Sequence, residues 1–79
     1  MIYVYILKSQ GRSGRRYVGI TRDLRSRLQA HNEGGSSHTA KFRPWAVESY
    51  AAVSNEQKAR EFERYLKSGS GREFARRHF

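Results

Sequence analysis

Seventy-nine residues allow one small domain and leave no room for a second core. Lys and Arg number 16 against 7 Asp and Glu, a formal charge of +9 that favours polyanions, of which nucleic acid is the usual one. There is no cysteine, which excludes disulfides, zinc–thiolate sites and thiol catalysis, and no apolar run approaches the roughly 20 residues of a membrane span. The bland reading of the charge is a surface kept soluble by lysine. Arginine outnumbers lysine, however, and five tyrosines accompany it. With no signal-peptide pattern at the N-terminus, a cytoplasmic protein is expected.

Residues 1–8 alternate strictly. Ile2, Val4 and Ile6 line one face and Tyr3, Tyr5 and Leu7 the other, a strand built from strong β-formers. Residues 9–15 (SQGRSGR) form a loop carrying Gly11 and Gly14, and residues 16–20 resume β character, so the chain opens with a hairpin. A register that sets Tyr5 opposite Tyr17 puts both phenols on one sheet face and leaves a gap at Gly19 beside Tyr3. The strand then turns at Ile20 and Thr21 into an amphipathic helix. Thr21 is the expected N-cap, Asp23 adds negative charge near the positive end of the helix dipole, and Leu24 and Leu28 mark the buried stripe. At about 100° per residue, Arg27 and His31 flank that stripe, while Arg22, Arg25 and Gln29 take the outer face. The helix is expected to end at Asn32 and Glu33, where Gly34 and Gly35 supply a stop.

Residues 34–44 (GGSSHTAKFRP) read as a mobile basic loop with Lys41 and Arg43. Trp45, Val47, Tyr50 and Val53 suggest a third strand, although the alternation is imperfect. Residues 54–57 (SNEQ) form a capping box that opens a helix with Ala59, Phe62 and Leu66 on its buried face and Glu63 at the margin. Gly69 is expected to break this helix, and residues 70–73 (SGRE) read as a second capping box opening a short last helix with Phe74. The order ββαβαα gives an α+β fold, a three-stranded antiparallel or mixed sheet flanked by helices, as one domain over residues 1–79.

Several of these residues carry chemistry, and each also has a plainer explanation. A strand tyrosine is ordinarily a packing residue with a wet hydroxyl, and a phenol with a pKa of about 10 is a poor base at neutral pH unless positive charge helps it. Arg27 is either a surface cation or a guanidinium that clamps a phosphate oxygen. His31 either suits the negative end of its helix or holds a proton. Glu63 interrupts a basic helix (Lys58, Arg60, Arg64, Lys67). It is either an i,i+4 partner for Lys67 or a ligand for magnesium, which needs only one or two carboxylates.

Together these pieces resemble the GIY-YIG nuclease superfamily, and more narrowly its small single-domain bacterial members. The resemblance is carried by Tyr3-Val4-Tyr5 and Tyr17-Val18-Gly19, by Arg27 and His31 following them, and by the late Glu63. The wider pattern recurs over residues 4–7, 17–32, 39–45 and 63–72, nearly the whole chain. Tyr3 stands where the first glycine of the name motif would be, and valine replaces isoleucine in both tripeptides.

The resemblance implies hydrolysis of phosphodiester bonds with a single divalent ion, Mg²⁺ or Mn²⁺. Glu63 would hold the metal and Arg27 would stabilise charge on the scissile phosphate. Tyr5 or Tyr17 would help deprotonate the attacking water, and His31 would assist proton transfer or orient a tyrosine. The expected partner is nucleic acid, chiefly DNA, gripped with little base specificity by Lys41, Arg43, Arg72, Arg76 and Arg77. A membrane is not expected, and a separate targeting protein is a further candidate partner. Two other functions compete: a non-catalytic nucleic-acid-binding module on the same fold, and a basic protein–protein adaptor.

Overall fold

The computed structural model describes residues 1–11 and 14–78. Arg12 and Ser13, in the expected first loop, and Phe79 lie outside the described residues. Three strands, β1 (Ile2–Ser9), β2 (Arg16–Thr21) and β3 (Trp45–Val53), form one antiparallel sheet in the order β2-β1-β3. Helices α1 (Leu24–Asn32) and α2 (Ser37–Ala40) fall between β2 and β3, and α3 (Glu56–Lys67) and α4 (Gly69–His78) follow β3.

The alternation of β1 decides the layers. Ile2, Val4 and Ile6 form a core with Ala59 and Leu66 of α3, joined by Val18, Phe62 and Phe74. Tyr5 and Leu7 point the other way and pack with Trp45, Tyr17, Leu24 and Leu28 beneath α1. The central strand is therefore buried on both faces, and α1 and α3 sit on opposite sides of it. At about 1.5–3 kcal/mol for each fully buried aliphatic side chain, these two layers supply the main drive to fold.

Several local expectations are corrected. Tyr5 pairs with Gly19 and Tyr17 with Leu7, so the hairpin register differs by two residues from the expected one. A two-residue shift keeps every side chain on its face, so the phenols still share one side. The cap of α1 is Asp23, whose carboxylate accepts from Ser26 N at 3.0 Å; Thr21 ends β2 and its hydroxyl accepts from Asp23 N at 3.1 Å. The cap of α3 is Asn55 rather than Ser54, its side chain accepting from Lys58 N at 3.1 Å.

The break between α3 and α4 falls at Ser68, not Gly69. Ser68 Oγ accepts from Gly71 N at 3.1 Å, so Ser68 takes the capping role expected of Ser70. The stretch expected as an irregular loop contains α2 and a cis bond between Arg43 and Pro44. The imperfect alternation of the third strand is a bulge: β3 pairs through Ser49 with Ile6 and then through Val47 with Leu7, leaving Glu48 extra.

Candidate active site

The edge strand β2, the central β1 and helix α1 enclose a cluster of polar side chains. Tyr5 and His31 are each only 1 % exposed. His31 lies on α1 one turn beyond Arg27, on the flank of the Leu24–Leu28 stripe that faces the sheet, and this placement buries its ring. Tyr5 Oη and His31 Nε2 are 3.2 Å apart, and His31 Nδ1 lies 2.8 Å from Thr39 Oγ1 of α2. The Thr39 hydroxyl donates to Ser36 O at 3.4 Å, which leaves its oxygen to accept from Nδ1–H. The network therefore assigns the lone pair to Nε2, which accepts from the Tyr5 phenol. Trp45 closes this side, its indole donating to Thr39 O at 2.9 Å. Asn32 ties α1 to β3 by accepting from Trp45 N at 2.6 Å and donating to Trp45 O at 3.0 Å.

Tyr17 leans against the pair at a tilt, its ring centroid 4.9 Å from that of His31 and 6.3 Å from that of Tyr5. The sheet leaves room for these rings because residue 19 has no side chain. A Cβ at Gly19 would stand 2.6 Å from Tyr5 Oη and 3.1 Å from a Tyr17 ring carbon. The expected gap thus exists, and Tyr5 fills it rather than Tyr3.

Charge and burial act on this cluster in opposite directions. Burial raises the Tyr5 pKa, and the Arg27 guanidinium, hydrogen-bonded to the phenol, only partly offsets it. Nearby Tyr17 and Glu63 raise it further. Tyr5 is therefore a neutral phenol at neutral pH. Arg27 is held more firmly in its charged form by contact with Tyr5 and Tyr17. Burial, followed by the charge of Arg27, lowers the His31 pKa, so its imidazole is neutral at neutral pH.

Glu63 comes from the opposite face of the sheet, on α3, which packs against β1 and β2. It is close enough to act electrostatically on Tyr5, and its side chain is 23 % exposed. Its carboxylate accepts from Lys67 Nζ at 3.2 Å, so the plain helical pairing is present as well. Among the described residues no group of three or more His, Cys, Asp or Glu gathers as a metal cage. One oxygen ligand with no sulfur or imidazole beside it suits Mg²⁺ or Mn²⁺, which keep waters and take phosphate oxygens, and does not suit Zn²⁺. The Lys67 pair is solvent-exposed and worth at most about 0.5 kcal/mol, little hindrance to a divalent ion.

A groove of about 660 Å³ leads away from Tyr17 between β2 and α4, with Arg16, His38, Lys67, Arg72 and Arg76 on its walls. Of the residues expected to grip nucleic acid, Arg72 and Arg76 line this groove. Arg76 and Arg77 both pair with Glu73, at 2.7 and 3.1 Å. Lys41 and Arg43 lie beyond α2, where Arg43 Nε donates to Ala40 O at 3.0 Å. Sequence reasoning missed Thr39 and His38, because both fall in a stretch with no hydrophobic period.

The family described as the GIY-YIG catalytic domain matches residues 1–77. This chain belongs to the GIY-YIG family. UPF0213 protein CPE1444 of Clostridium perfringens (strain 13 / Type A) is 37 % identical over 68 residues, covering 85 % of this chain and 71 % of that protein. No solved structure matches. GIY-YIG domains are nuclease domains, so hydrolase activity on nucleic acid is the family-level function, and divalent metal is its usual cofactor. No helix among the described residues is long and apolar enough to cross a membrane.

Proposed function

We propose that residues 1–79 form one GIY-YIG nuclease domain, a cytoplasmic Mg²⁺-dependent endonuclease that cuts DNA by its backbone with little base specificity. The observation that carries this reading is the buried Tyr5–His31–Thr39 chain, which presents a neutral imidazole lone pair to a phenol beside a fixed guanidinium. Such a chain costs desolvation energy, and packing alone would be served by apolar residues.

Tyr17, half-buried beside the groove, orients the attacking water. Tyr5 takes a proton from that water as it gives its own to His31 Nε2, so no free phenolate is required. The water oxygen bonds to phosphorus, the P–O bond to the leaving sugar oxygen breaks, and that oxygen takes a proton from solvent. Arg27 donates to a non-bridging phosphate oxygen, where negative charge grows. Glu63 holds the divalent ion, which when bound supplies charge neutralisation on the phosphate. Arg72, with Lys41, Arg43, Arg76 and Arg77, positions the backbone.

A fluorescent duplex incubated with and without Mg²⁺, for wild type and Glu63→Ala, tests the proposal. Metal-dependent cutting that the variant loses is expected. The second reading is a binding module on the same fold, in which Glu63 serves only its helical pairing with Lys67. That reading requires equal retention of the duplex by both proteins and no cutting.

A further inference from the structure

A second groove, of about 590 Å³, lies on the other flank of α1, between its first turn and β3. Arg25, expected on the outer face of α1, instead borders the Leu24–Leu28 stripe on the side away from Arg27 and lines this groove. Arg27 turns toward the hydrolytic cluster and Arg25 toward this groove, so α1 is the ridge between the two. The floor is Leu24, Leu28 and Val47. The wall on the β3 side is Tyr50, which is 55 % exposed although it stands in a strand on the face that α1 covers.

Tyr50 is held in place. Its ring meets Tyr3 edge to face, with centroids 5.8 Å apart and an interplanar angle of 67°. One edge is thus fixed and much of the ring is left to solvent, the form of a stacking platform rather than a core residue. The charged groups on the rim are Arg22, Arg25 and Asp23. Asp23 is engaged in capping its own helix, and Arg22 pairs with Glu56 at 3.2 Å in an exposed contact. Arg25 has no ion pair among the described residues, so the rim is positive where it meets solvent.

We propose that this groove binds one unpaired nucleobase, stacked on Tyr50, with its phosphate at Arg25. The site would hold a single-stranded portion of the substrate on the far side of α1 from the scissile bond. This rests on the nucleic-acid reading above, but on binding alone and not on hydrolysis. An aromatic ring with adjacent arginine accepts any base face, so it selects for unpaired structure without selecting sequence. Base-paired DNA keeps its bases stacked on one another and gains nothing at such a site.

The test measures affinity of the full chain, in chelator so that no cutting occurs, for a blunt duplex and for the same duplex with a short single-stranded extension. A fluorescent adenine analogue in the extension reports stacking directly. Tyr50→Ala is expected to weaken binding of the extended duplex by about 5- to 140-fold, the range that base–aromatic stacking commands. It should leave blunt-duplex affinity unchanged and abolish quenching of the analogue. Tyr50→Phe should restore both. Equal affinities of wild type and Tyr50→Ala for the extended duplex would overturn the proposal, as would an equal loss on both duplexes. So would a concentration-dependent dimer of the protein alone that Tyr50→Ala abolishes, since the face would then belong to a second copy. Failure of cleavage with this binding pattern intact would overturn the hydrolytic reading only.

Discussion

The buried His31 Nε2 is paired with the Tyr5 hydroxyl, so removing that hydroxyl leaves a buried acceptor without its partner. Tyr5→Phe should therefore cost about 1–3 kcal/mol of stability in chemical denaturation as well as activity, whereas Tyr17→Phe should cost activity with little stability. Thr39→Val keeps shape but strands the Nδ1–H of His31, and the same loss of about 1–3 kcal/mol is expected from it. His31 also ties stability to pH. Its folded pKa lies below the ordinary value of 6.5, so the unfolded chain binds the extra proton first. This contribution is complete above about 6.5 and is lost as pH falls below it toward the folded value. Melting temperature should drop across that interval in wild type and drop less in His31→Asn. Chemistry of this kind was partly legible in the residues alone: a helical wheel places His31 beside the buried stripe. Thr39 was not legible, because its role depends on a fold-back of the chain over Trp45 that no local period announces.

The helices and strands are set by patterns whose resolution is limited by their own period. Alternation in β1 fixes which face each residue takes, and the observed core follows it. Alternation cannot distinguish a register of Tyr5 against Tyr17 from one of Tyr5 against Gly19, because a shift of two preserves every face. The meeting of the Tyr5 ring with the space at Gly19 favours the observed register. Gly19→Ala should therefore displace Tyr5 and lower cleavage strongly while the sheet remains, as judged by circular dichroism. The caps tell a similar story. Thr21 and Asp23, or Ser54 and Asn55, are both chemically able to cap, and the end of the preceding strand selects between them. Asn55→Ala should cost about 1 kcal/mol, and Ser54→Ala only a few tenths. The corner between α3 and α4 is tighter than either helix pattern suggests. A Cβ at Gly71 would run into the Tyr65 carbonyl, so Gly71→Ala should loosen α4 and raise its amide exchange. A four-residue helix such as α2 is too short to carry a period, so the sequence showed only a loop there.

Across the whole molecule the charge of +9 is not evenly available. Arg16 is paired with Glu48, Arg76 and Arg77 with Glu73, and Lys67 with Glu63. Arg72 carries no ion pair among the described residues and stands on the groove that begins at Tyr17. Affinity for duplex DNA should fall steeply with salt, and Arg72→Ala should reduce the log–log slope by about one, with a smaller change for Arg77→Ala. A flat salt response would instead suit a protein–protein adaptor. The proposed hydrolysis depends on Glu63 of α3, which acts electrostatically on Tyr5, standing close enough to the cluster of Tyr5, Tyr17, Arg27 and His31 to share one metal and phosphate site. Paramagnetic broadening by Mn²⁺, read on the assigned ring protons of Tyr5, Tyr17 and His31, tests that proximity without need of a substrate. Selective broadening of those rings at low Mn²⁺, absent in Glu63→Ala, is expected. Broadening centred on Glu73 or Glu56, or unchanged in Glu63→Ala, would contradict a metal held by Glu63 beside the two phenols.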